Sequence, residues 1–127
     1  MLLRELISLL DCEVVWGHEL LPQMQVEACF AADLMSDVLA FSRTGAVLLT
    51  GLVNAQTIHT AFIAEITAII FVRGKRPAAD VISLANEKRI PVLGTPYSMY
   101  EACGKLYGKG LGSTMEPAMS GDHAARK

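Results

Sequence analysis

The middle of the chain is built from short, unbroken apolar runs that stop close to a glycine. Residues 47–49, 68–72 and 91–93 are such runs, and a glycine follows each of them within two residues. An unbroken run, rather than an alternating one, is typical of a strand that is covered on both faces. A helical pattern of apolar positions follows each run, so the sequence predicts buried parallel strands connected by helices.

The periodicity of the remaining apolar positions completes the predicted order of elements. Helices are predicted over residues 2–10, 37–42, 54–65, 77–89 and 98–106. Strands are predicted over residues 12–16, 26–32, 46–49, 68–72 and 90–93. Residues 20–24 are expected to form a connection without regular structure.

Polar residues and a proline mark the starts of several predicted helices. Ser36 is placed to cap the second helix, and Asn54 is placed to cap the third. Pro77 occupies the position of a first helical residue in the fourth helix. Ser98 and Glu101 form a Ser-x-x-Glu capping box before the fifth. These signals place a helix start shortly after the end of each predicted strand.

The alternation of strands and helices predicts an α/β fold, a three-layer αβα sandwich with a mostly parallel sheet. The strand order stays open, because strands 12–16 and 26–32 have no clear crossover helix between them. Residues 1–111 are expected to form a single domain. Glycine, serine and proline recur beyond it, so residues 112–127 are predicted to be a disordered tail.

Composition narrows the range of functions. The chain has 127 residues, of which 52% are hydrophobic and 19% are charged, and its formal net charge is -2 at pH 7. No broad basic surface is available to hold nucleic acid, so direct nucleic-acid binding is not expected. The apolar composition fits a sheet that is covered on both faces, and it favours a homodimer.

The cysteines and the N-terminus indicate a cellular location. Cys12, Cys29 and Cys103 are widely spaced and form no Cys-x-x-Cys pair, which is typical of buried thiols in a reducing compartment. The first residues do not form a signal peptide, and no apolar run approaches the roughly 18–20 residues of a membrane span. We therefore expect a cytoplasmic protein that does not enter a membrane.

Polar residues collect where the predicted strands end and the next helices begin. Ligands of open α/β sheets bind beyond the carboxyl ends of the strands, so this edge is the predicted ligand site. The candidate binding residues are Ser36, Asp37, Thr50, Gly51, Asn54, Gln56, Thr57, Arg73, Gly74, Lys75, Thr95 and Ser98. Unpaired N–H groups at helix N-termini favour phosphate or carboxylate, and Arg73 can add a forked contact. The predicted ligand is a small anionic metabolite or a nucleotide.

Two other interpretations of these residues stay open. In the first, the hydroxyl and amide side chains only cap helices, and residues 73–76 form a solvated loop. In the second, the protein is an enzyme that acts on a phosphorylated or carboxylated small metabolite. Arg73 and Lys75 would then clamp the anion, with Asp33 or Asp37 as acid, base or metal ligand. We predict no catalytic residue, metal or cofactor, because no catalytic triad, Walker sequence or dinucleotide fingerprint is present.

Four stretches of the chain resemble a known family. They are residues 32–40 (ADLMSDVLA), 48–52 (LLTGL), 69–75 (IIFVRGK) and 95–102 (TPYSMYEA). Together they resemble stand-alone DRTGG-domain proteins over about residues 1–108. The motif that gives this family its name is altered, because the closest string is residues 42–46 (SRTGA).

This resemblance implies both a fold and a role. DRTGG domains are similar to the N-terminal domain of HPr kinase/phosphorylase, which implies an αβα sandwich. They also accompany CBS domains in regulatory pyrophosphatases, where the chemistry lies elsewhere, and some stand-alone members are labelled transcriptional regulators or signalling proteins. The resemblance therefore implies a non-catalytic domain that regulates or assembles dimers. Together with the polar strand ends, it predicts a homodimer that binds a small anionic ligand or nucleotide, docks a regulatory protein partner, or does both. It supplies no catalytic residues.

Overall fold

The computed structural model describes residues 1–115, which form five α-helices and a five-stranded sheet. The helices are α1 (Leu3–Leu9), α2 (Met35–Phe41), α3 (Ala55–Ile63), α4 (Ala79–Lys88) and α5 (Met99–Gly108). The strands are β1 (Glu13–Trp16), β2 (Ala28–Ala31), β3 (Ala46–Thr50), β4 (Ala68–Phe71) and β5 (Val92–Gly94). A short 3-10 helix, His18–Gln23, follows β1 where the sequence indicated only a connection.

The strand order is β1-β5-β4-β3-β2. β2, β3, β4 and β5 are parallel, and β1 is antiparallel to β5. The predicted α/β class with a mostly parallel sheet is therefore confirmed. The inner strands β3 and β4 are buried along their whole length, as their unbroken apolar sequences require. The edge strand β1 is more exposed.

Two apolar cores lie on opposite faces of the sheet. α2, α3 and α4 cover one face, where they bury residues such as Val38, Ile58 and Val81. α1 and α5 cover the other face, where they bury residues such as Leu6 and Leu106. Successive residues of the inner strands point to different cores, which produces the three-layer arrangement that the sequence predicted.

The start of α2 differs from the prediction. The helix begins at Met35 with Leu34 as its N-cap, so the prediction that Ser36 caps this helix is wrong. Met35 and Val38 are three residues apart and both are buried, and their packing fixes where the helix begins. Leu34 has no polar side-chain atom and therefore cannot cap the helix, and the carboxylate of the preceding residue, Asp33, is bonded to Gly51 at the end of β3.

The start of α4 also differs from the prediction. This helix begins at Ala79 after the N-cap Ala78, so Pro77 lies before the helix rather than at its first position. The backbone of Ala78 is extended, and Pro77 is buried, so the chain packs against the domain before it turns into the helix.

Left-handed residues end three of the helices. Asp11, Glu65 and Arg89 follow α1, α3 and α4 with φ angles of 51°, 57° and 58°. After each, a backbone N–H returns to a carbonyl five residues earlier, as from Ile66 to Ala61 at 2.9 Å. None of the helices in residues 1–115 is long and apolar enough to cross a membrane.

The described structure extends beyond the predicted end of the domain at residue 111. The N–H of Cys29 donates to the Gly112 carbonyl at 2.8 Å, and the N–H of Thr114 donates to the Cys29 carbonyl at 3.3 Å. Residues 112–115 therefore run along the edge strand β2. The rest of the predicted tail, residues 116–127, lies outside the described residues.

Candidate functional site

The carboxyl ends of β3, β4 and β5 meet at one edge of the sheet, which we call the carboxyl edge. The turn that connects α1 to β1 lies at the same edge, because β1 runs antiparallel to β5 and Glu13 is paired with Gly94. The carboxyl edge therefore carries residues 10–13 in addition to the turns after the three strands. The sequence did not predict this extra segment, since the direction of β1 was open.

A hydrogen-bonded cluster links the ends of β2 and β3 to the loop after β4. The Asp33 carboxylate accepts from the Gly51 N–H at 2.7 Å and from the Thr50 hydroxyl at 3.0 Å. Lys75 Nζ donates to the Gly51 carbonyl at 2.8 Å. A Cβ at position 51 would lie 3.5 Å from Lys75 Nζ and 3.6 Å from the Asp33 oxygens. A carboxylate and an ammonium group therefore both approach this turn, at distances that would be ordinary van der Waals contacts for a side chain at position 51.

The loop that contains Arg73 and Gly74 is held to the turn after β5. The Arg73 N–H donates to the Tyr97 carbonyl at 2.8 Å. The Gly74 N–H donates to the Thr95 carbonyl, also at 2.8 Å. The Thr95 hydroxyl is buried and donates to the Leu10 carbonyl at 2.6 Å. Hydrogen bonds therefore hold the backbone of the predicted site in place, and the Thr95 hydroxyl is itself bonded to the Leu10 carbonyl.

Asn54, Thr57 and Ser98 hold the starts of α3 and α5. Asn54 Oδ1 accepts from the Thr57 N–H at 3.1 Å, which confirms the predicted cap of α3. The buried Thr57 hydroxyl donates to the carbonyl of residue 52 at 2.6 Å. Ser98 and Glu101 form the predicted capping box, and hydrogen bonds from Ser98 lower the pKa of the Glu101 carboxyl. These side chains act as the helix caps that the first alternative interpretation described.

The three cations after β4 differ in their partners. Arg76 pairs with Glu13, and Lys75 is bonded to the Gly51 carbonyl. Arg73 is exposed and forms no ion pair with any residue of the described range 1–115. Its backbone is left-handed, with a φ angle of 59°, yet it does not end a helix as the other left-handed non-glycine residues do. Such a conformation costs about 1–2 kcal/mol and is frequent at functional sites.

Three predicted residues lie apart from the bonded turns. Ser36 and Asp37 are in the first turn of α2, and Gln56 is in the first turn of α3. Ser36 and Gln56 are exposed, and Asp37 is half-buried. Among the side chains of residues 1–115, these three form no hydrogen bond with the cluster around Gly51. The structure therefore places them near helix starts but does not join them to the other candidates.

Sequence reasoning missed two residues of the carboxyl edge. The Tyr97 hydroxyl donates to Asp11 Oδ2 at 2.8 Å, and this hydrogen bond raises the pKa of the tyrosine. Asp11 comes after the predicted helix 2–10, and Tyr97 comes after the predicted strand 90–93. Only the antiparallel direction of β1 brings them together, so no local pattern could have paired them.

Residues 42–46, the altered namesake motif, lie at the opposite end of β3 from the carboxyl edge. Arg43 Nη1 donates to the Thr114 carbonyl at 3.2 Å, and the Thr44 hydroxyl donates to Glu65 Oε1 at 2.7 Å. Gly45 has a φ angle of 89°, and a Cβ there would lie 3.1 Å from Glu27 Oε2. The motif therefore joins the strand start to the C-terminal segment and to the end of α3.

An apolar cavity of about 850 Å³ lies away from the carboxyl-edge cluster, between α5, β2 and residues 111–115. Phe30, Ala31, Tyr107 and Leu111 contribute to its apolar lining, and two of the three cysteines, Cys29 and Cys103, also face it. No local pattern in the sequence predicts this cavity, because its walls come from distant segments. Across residues 1–115, no group of three His, Cys, Asp or Glu side chains could hold a metal ion.

The fold is that of a small three-layer α/β domain with a mostly parallel five-stranded sheet. The chain belongs to the DRTGG-domain family, whose model matches residues 5–107. A search of curated proteins found no match.

Among solved structures, the chain is similar to the CBS and DRTGG domains of the regulatory region of Clostridium perfringens pyrophosphatase, complexed with the activator diadenosine tetraphosphate. The TM-score is 0.63 and the sequence identity is 17%, over 82% of this chain and 45% of that one. This chain therefore spans less than half of the pyrophosphatase region, and at this identity the similarity shows a shared fold.

Proposed function

We propose that this domain is a regulatory module without catalytic activity, which binds a small anionic ligand of the nucleotide class at the carboxyl edge. Membership of the DRTGG family supports a regulatory role. The similar pyrophosphatase region is itself regulatory and was crystallised with a nucleotide activator. The relation to the N-terminal domain of HPr kinase/phosphorylase stays a prediction of the sequence.

Arg73 is the observation that carries this proposal. Its guanidinium is exposed at the carboxyl edge and is not neutralised by an acidic partner within residues 1–115. A guanidinium offers a planar fork of donors that matches a phosphate. The helix that follows this loop, α4, starts at Ala79 without a capping side chain, so its first N–H groups favour an anion as well.

The bonding of Asp33 favours binding over catalysis. The enzyme alternative needs a carboxylate that is free to take a proton or to hold a metal. Asp33 Oδ1 instead accepts hydrogen bonds from the Gly51 N–H and the Thr50 hydroxyl, so this oxygen is already engaged in holding the turn. Asp33 therefore supports the turn under the proposed ligand.

Thermal unfolding with graded concentrations of diadenosine tetraphosphate, ATP and inorganic phosphate tests the proposal. A ligand at 100 times its Kd adds about 2.7 kcal/mol to stability, which is easily measured in a domain of this size. We expect Arg73→Ala to abolish the shift given by the nucleotides. Arg4→Ala removes an equally exposed charge from α1 and should keep the shift.

Three results would count against the proposal. A nucleotide shift that survives Arg73→Ala would place the site elsewhere. Hydrolysis or transfer of a bound nucleotide, followed by phosphate release, would show that the domain is an enzyme. The absence of any shift at millimolar nucleotide would exclude this class of ligand.

We also propose that the domain forms homodimers through the outer surfaces of α2 and α3. Leu39, Phe41, Phe62 and Ile63 are large apolar residues on these adjacent helices, and their exposed fractions are 49–68%. Apolar residues clustered on a surface favour association. Sedimentation equilibrium should give a dimer that Ile63→Glu converts to a monomer, while Tyr107→Glu on α5 leaves it intact. A monomeric wild-type protein at high micromolar concentration would refute the dimer.

A further inference from the structure

We propose that Cys29 and Cys103 are a redox-sensitive pair, which a hydroperoxide converts to an intramolecular disulfide in the wall of the apolar cavity. This inference does not depend on the ligand proposed above. It concerns the face of the sheet that α1 and α5 cover, whereas the proposed dimer surface lies on the other face.

The fold brings the two thiols together from distant parts of the chain. Cys29 is in the edge strand β2, Cys103 is in α5, and α5 packs against β2. Both side chains are half-buried, both face the same cavity of about 850 Å³, and both contact the core that α1 and α5 cover. The cavity gives a small oxidant a path to sulfur atoms that are otherwise shielded from solvent. Cys12 does not line this cavity.

The two thiols have unequal tendencies to ionise. The neighbouring Cys29 thiol lowers the pKa of Cys103 to about 7, and the Cys103 thiol together with burial raises the pKa of Cys29. Glu101 and Lys105 are the charged residues on the α5 wall of the cavity, and they carry opposite charges. Cys29 is the ionisable group on the β2 wall, and residues 111–115 contribute none. Since the thiolate is the nucleophile, Cys103 is the residue that reacts first.

The remaining cysteine supplies an internal comparison. Burial, with the nearby Asp11 carboxylate, raises the pKa of Cys12 to about 12. Cys12 is also half-buried, so its exposure is comparable to that of the pair while its thiolate population near neutral pH is far smaller. A difference in reactivity between Cys12 and Cys103 therefore reports on the environment of the thiol.

Oxidation proceeds in two balanced steps. The Cys103 thiolate attacks one oxygen of hydrogen peroxide, the O–O bond breaks, and Cys103 sulfenic acid and hydroxide form. The Cys29 sulfur then attacks the Cys103 sulfur, the S–O bond breaks, and the oxygen leaves as water with the Cys29 proton. Overall, two thiols and one peroxide give one disulfide and two waters. A small thiol reductant such as glutathione reverses the change by exchange.

The disulfide would act on the cavity and on the C-terminal segment. It would fix α5 to an edge strand, and the backbone of Cys29 is also bonded to Gly112 and Thr114. The cavity mouth lies between these segments, so the oxidised protein would hold α5, β2 and residues 112–114 as one unit.

To test this proposal, the reduced protein is treated at pH 7.5 with hydrogen peroxide, from a sub-stoichiometric amount up to three equivalents per protein. Intact mass, the number of free thiols and the disulfide-linked peptides are then measured. We expect a loss of two hydrogen atoms, one free thiol in place of three, and a Cys29–Cys103 peptide. Cys103 should react at least about tenfold faster than Cys12, as expected from their thiolate populations. Cys12→Ser should leave the reaction unchanged, while Cys29→Ser should accumulate a sulfenic acid on Cys103 that dimedone traps.

Other outcomes would overturn the proposal. Oxidation of Cys12 before Cys103, a disulfide between two chains that forms faster than the internal one, or equal oxidation rates for all three thiols would each refute the pair. If Cys29→Ser failed to fold, Cys29→Ala and peptide mapping of the wild-type protein would decide the same question. Trapped sulfenic acid on Cys103 in the wild type, with no disulfide, would exclude Cys29 as its partner.

Discussion

Replacing one Cα hydrogen of Gly17 by a methyl group would strain the turn between β1 and the 3-10 helix. Gly17 is buried with a φ angle of 105°, and an added Cβ would lie 3.0 Å from Pro91 Cα. Backbone strain and overlap with a buried backbone atom both oppose a side chain here.

We expect Gly17→Ala to lower the free energy of unfolding by at least about 2 kcal/mol in urea titrations. Gly104→Ala is the matched control, because Gly104 lies within α5 and an added Cβ would meet nothing within 4 Å. That change should raise stability by about 0.5–1 kcal/mol. Equal effects at the two positions would show that the Gly17 turn tolerates a side chain.

Thr95 illustrates how a predicted binding residue can serve the fold instead. Its buried hydroxyl donates to the Leu10 carbonyl and accepts from the Tyr97 N–H at 3.3 Å. Thr95→Val should therefore cost about 1–3 kcal/mol, because the buried bond to the Leu10 carbonyl and the partly buried bond from the Tyr97 N–H are both lost. Thr60→Val is the control, since Thr60 is also buried but its hydroxyl bonds to no residue of the described range. Similar costs at both positions would contradict a structural role for the Thr95 hydroxyl.

At the scale of elements, the start of α5 should be sensitive to pH. Hydrogen bonds from Ser98 lower the pKa of Glu101 in the folded protein, so the ionised carboxylate stabilises the folded state. This contribution is present above the ordinary pKa of glutamate, and it is lost as the pH falls through the lowered value of the folded state. Both the direction of this change in stability and its pH range follow from a Glu101 pKa that is lower in the folded protein than in the unfolded chain.

We therefore expect Glu101→Gln to lower the Tm at pH 7 and to have little effect once the pH is below the folded-state pKa of Glu101. Differential scanning calorimetry from pH 7 down to pH 3 gives this comparison. Glu87→Gln makes the same change at an exposed position of α4, and its effect should vary less with pH. A Glu101→Gln deficit that is constant across this range would show that the carboxylate charge is unimportant.

At the scale of the whole molecule, the sheet separates the two cores. Substitutions on opposite faces should therefore lower the free energy of unfolding independently of each other. Ile70 in β4 belongs to the core beneath α1 and α5, and Ile58 in α3 belongs to the other core. Both are fully buried. Ile70→Val and Ile58→Val should each cost about 0.5–1.5 kcal/mol.

In the double variant these two losses of stability should add to within about 0.5 kcal/mol, because the two residues belong to different cores. Urea unfolding of the two single variants and the double variant measures the coupling. A larger coupling energy would mean that repacking on one face is transmitted through the strands to the other.

The sequence predicted most of this fold because the informative signals are local. The unbroken apolar residues of β3 and β4 predict buried strands, and Asn54 and Ser98 predict helix starts that the structure confirms. The start of α2 was misplaced because burial of Met35 overrides a local cap. Local preference decides where a helix can start, and packing selects the start that is used.

The candidate site was predicted less completely. Gly51, Gly74 and Lys75 lie in the bonded turns of the carboxyl edge, but Ser36 and Gln56 do not join them. The side chains that turned out to be helix caps carry the same residue types that bind anions. Helix capping and anion binding both need oxygen or nitrogen atoms near a helix N-terminus. The sequence alone therefore does not distinguish a capping residue from a binding residue.

By itself the sequence determined the order of elements and the α/β class, because apolar period and helix capping act between residues only a few positions apart. The tertiary structure alone decided the direction of β1 and the neighbours that this direction creates. Tyr97 meets Asp11 across 86 positions of the sequence, Arg76 meets Glu13 across 63, and Cys103 and Cys29 line the same cavity. Such pairs depend on how strands and helices pack, and no local pattern records that packing.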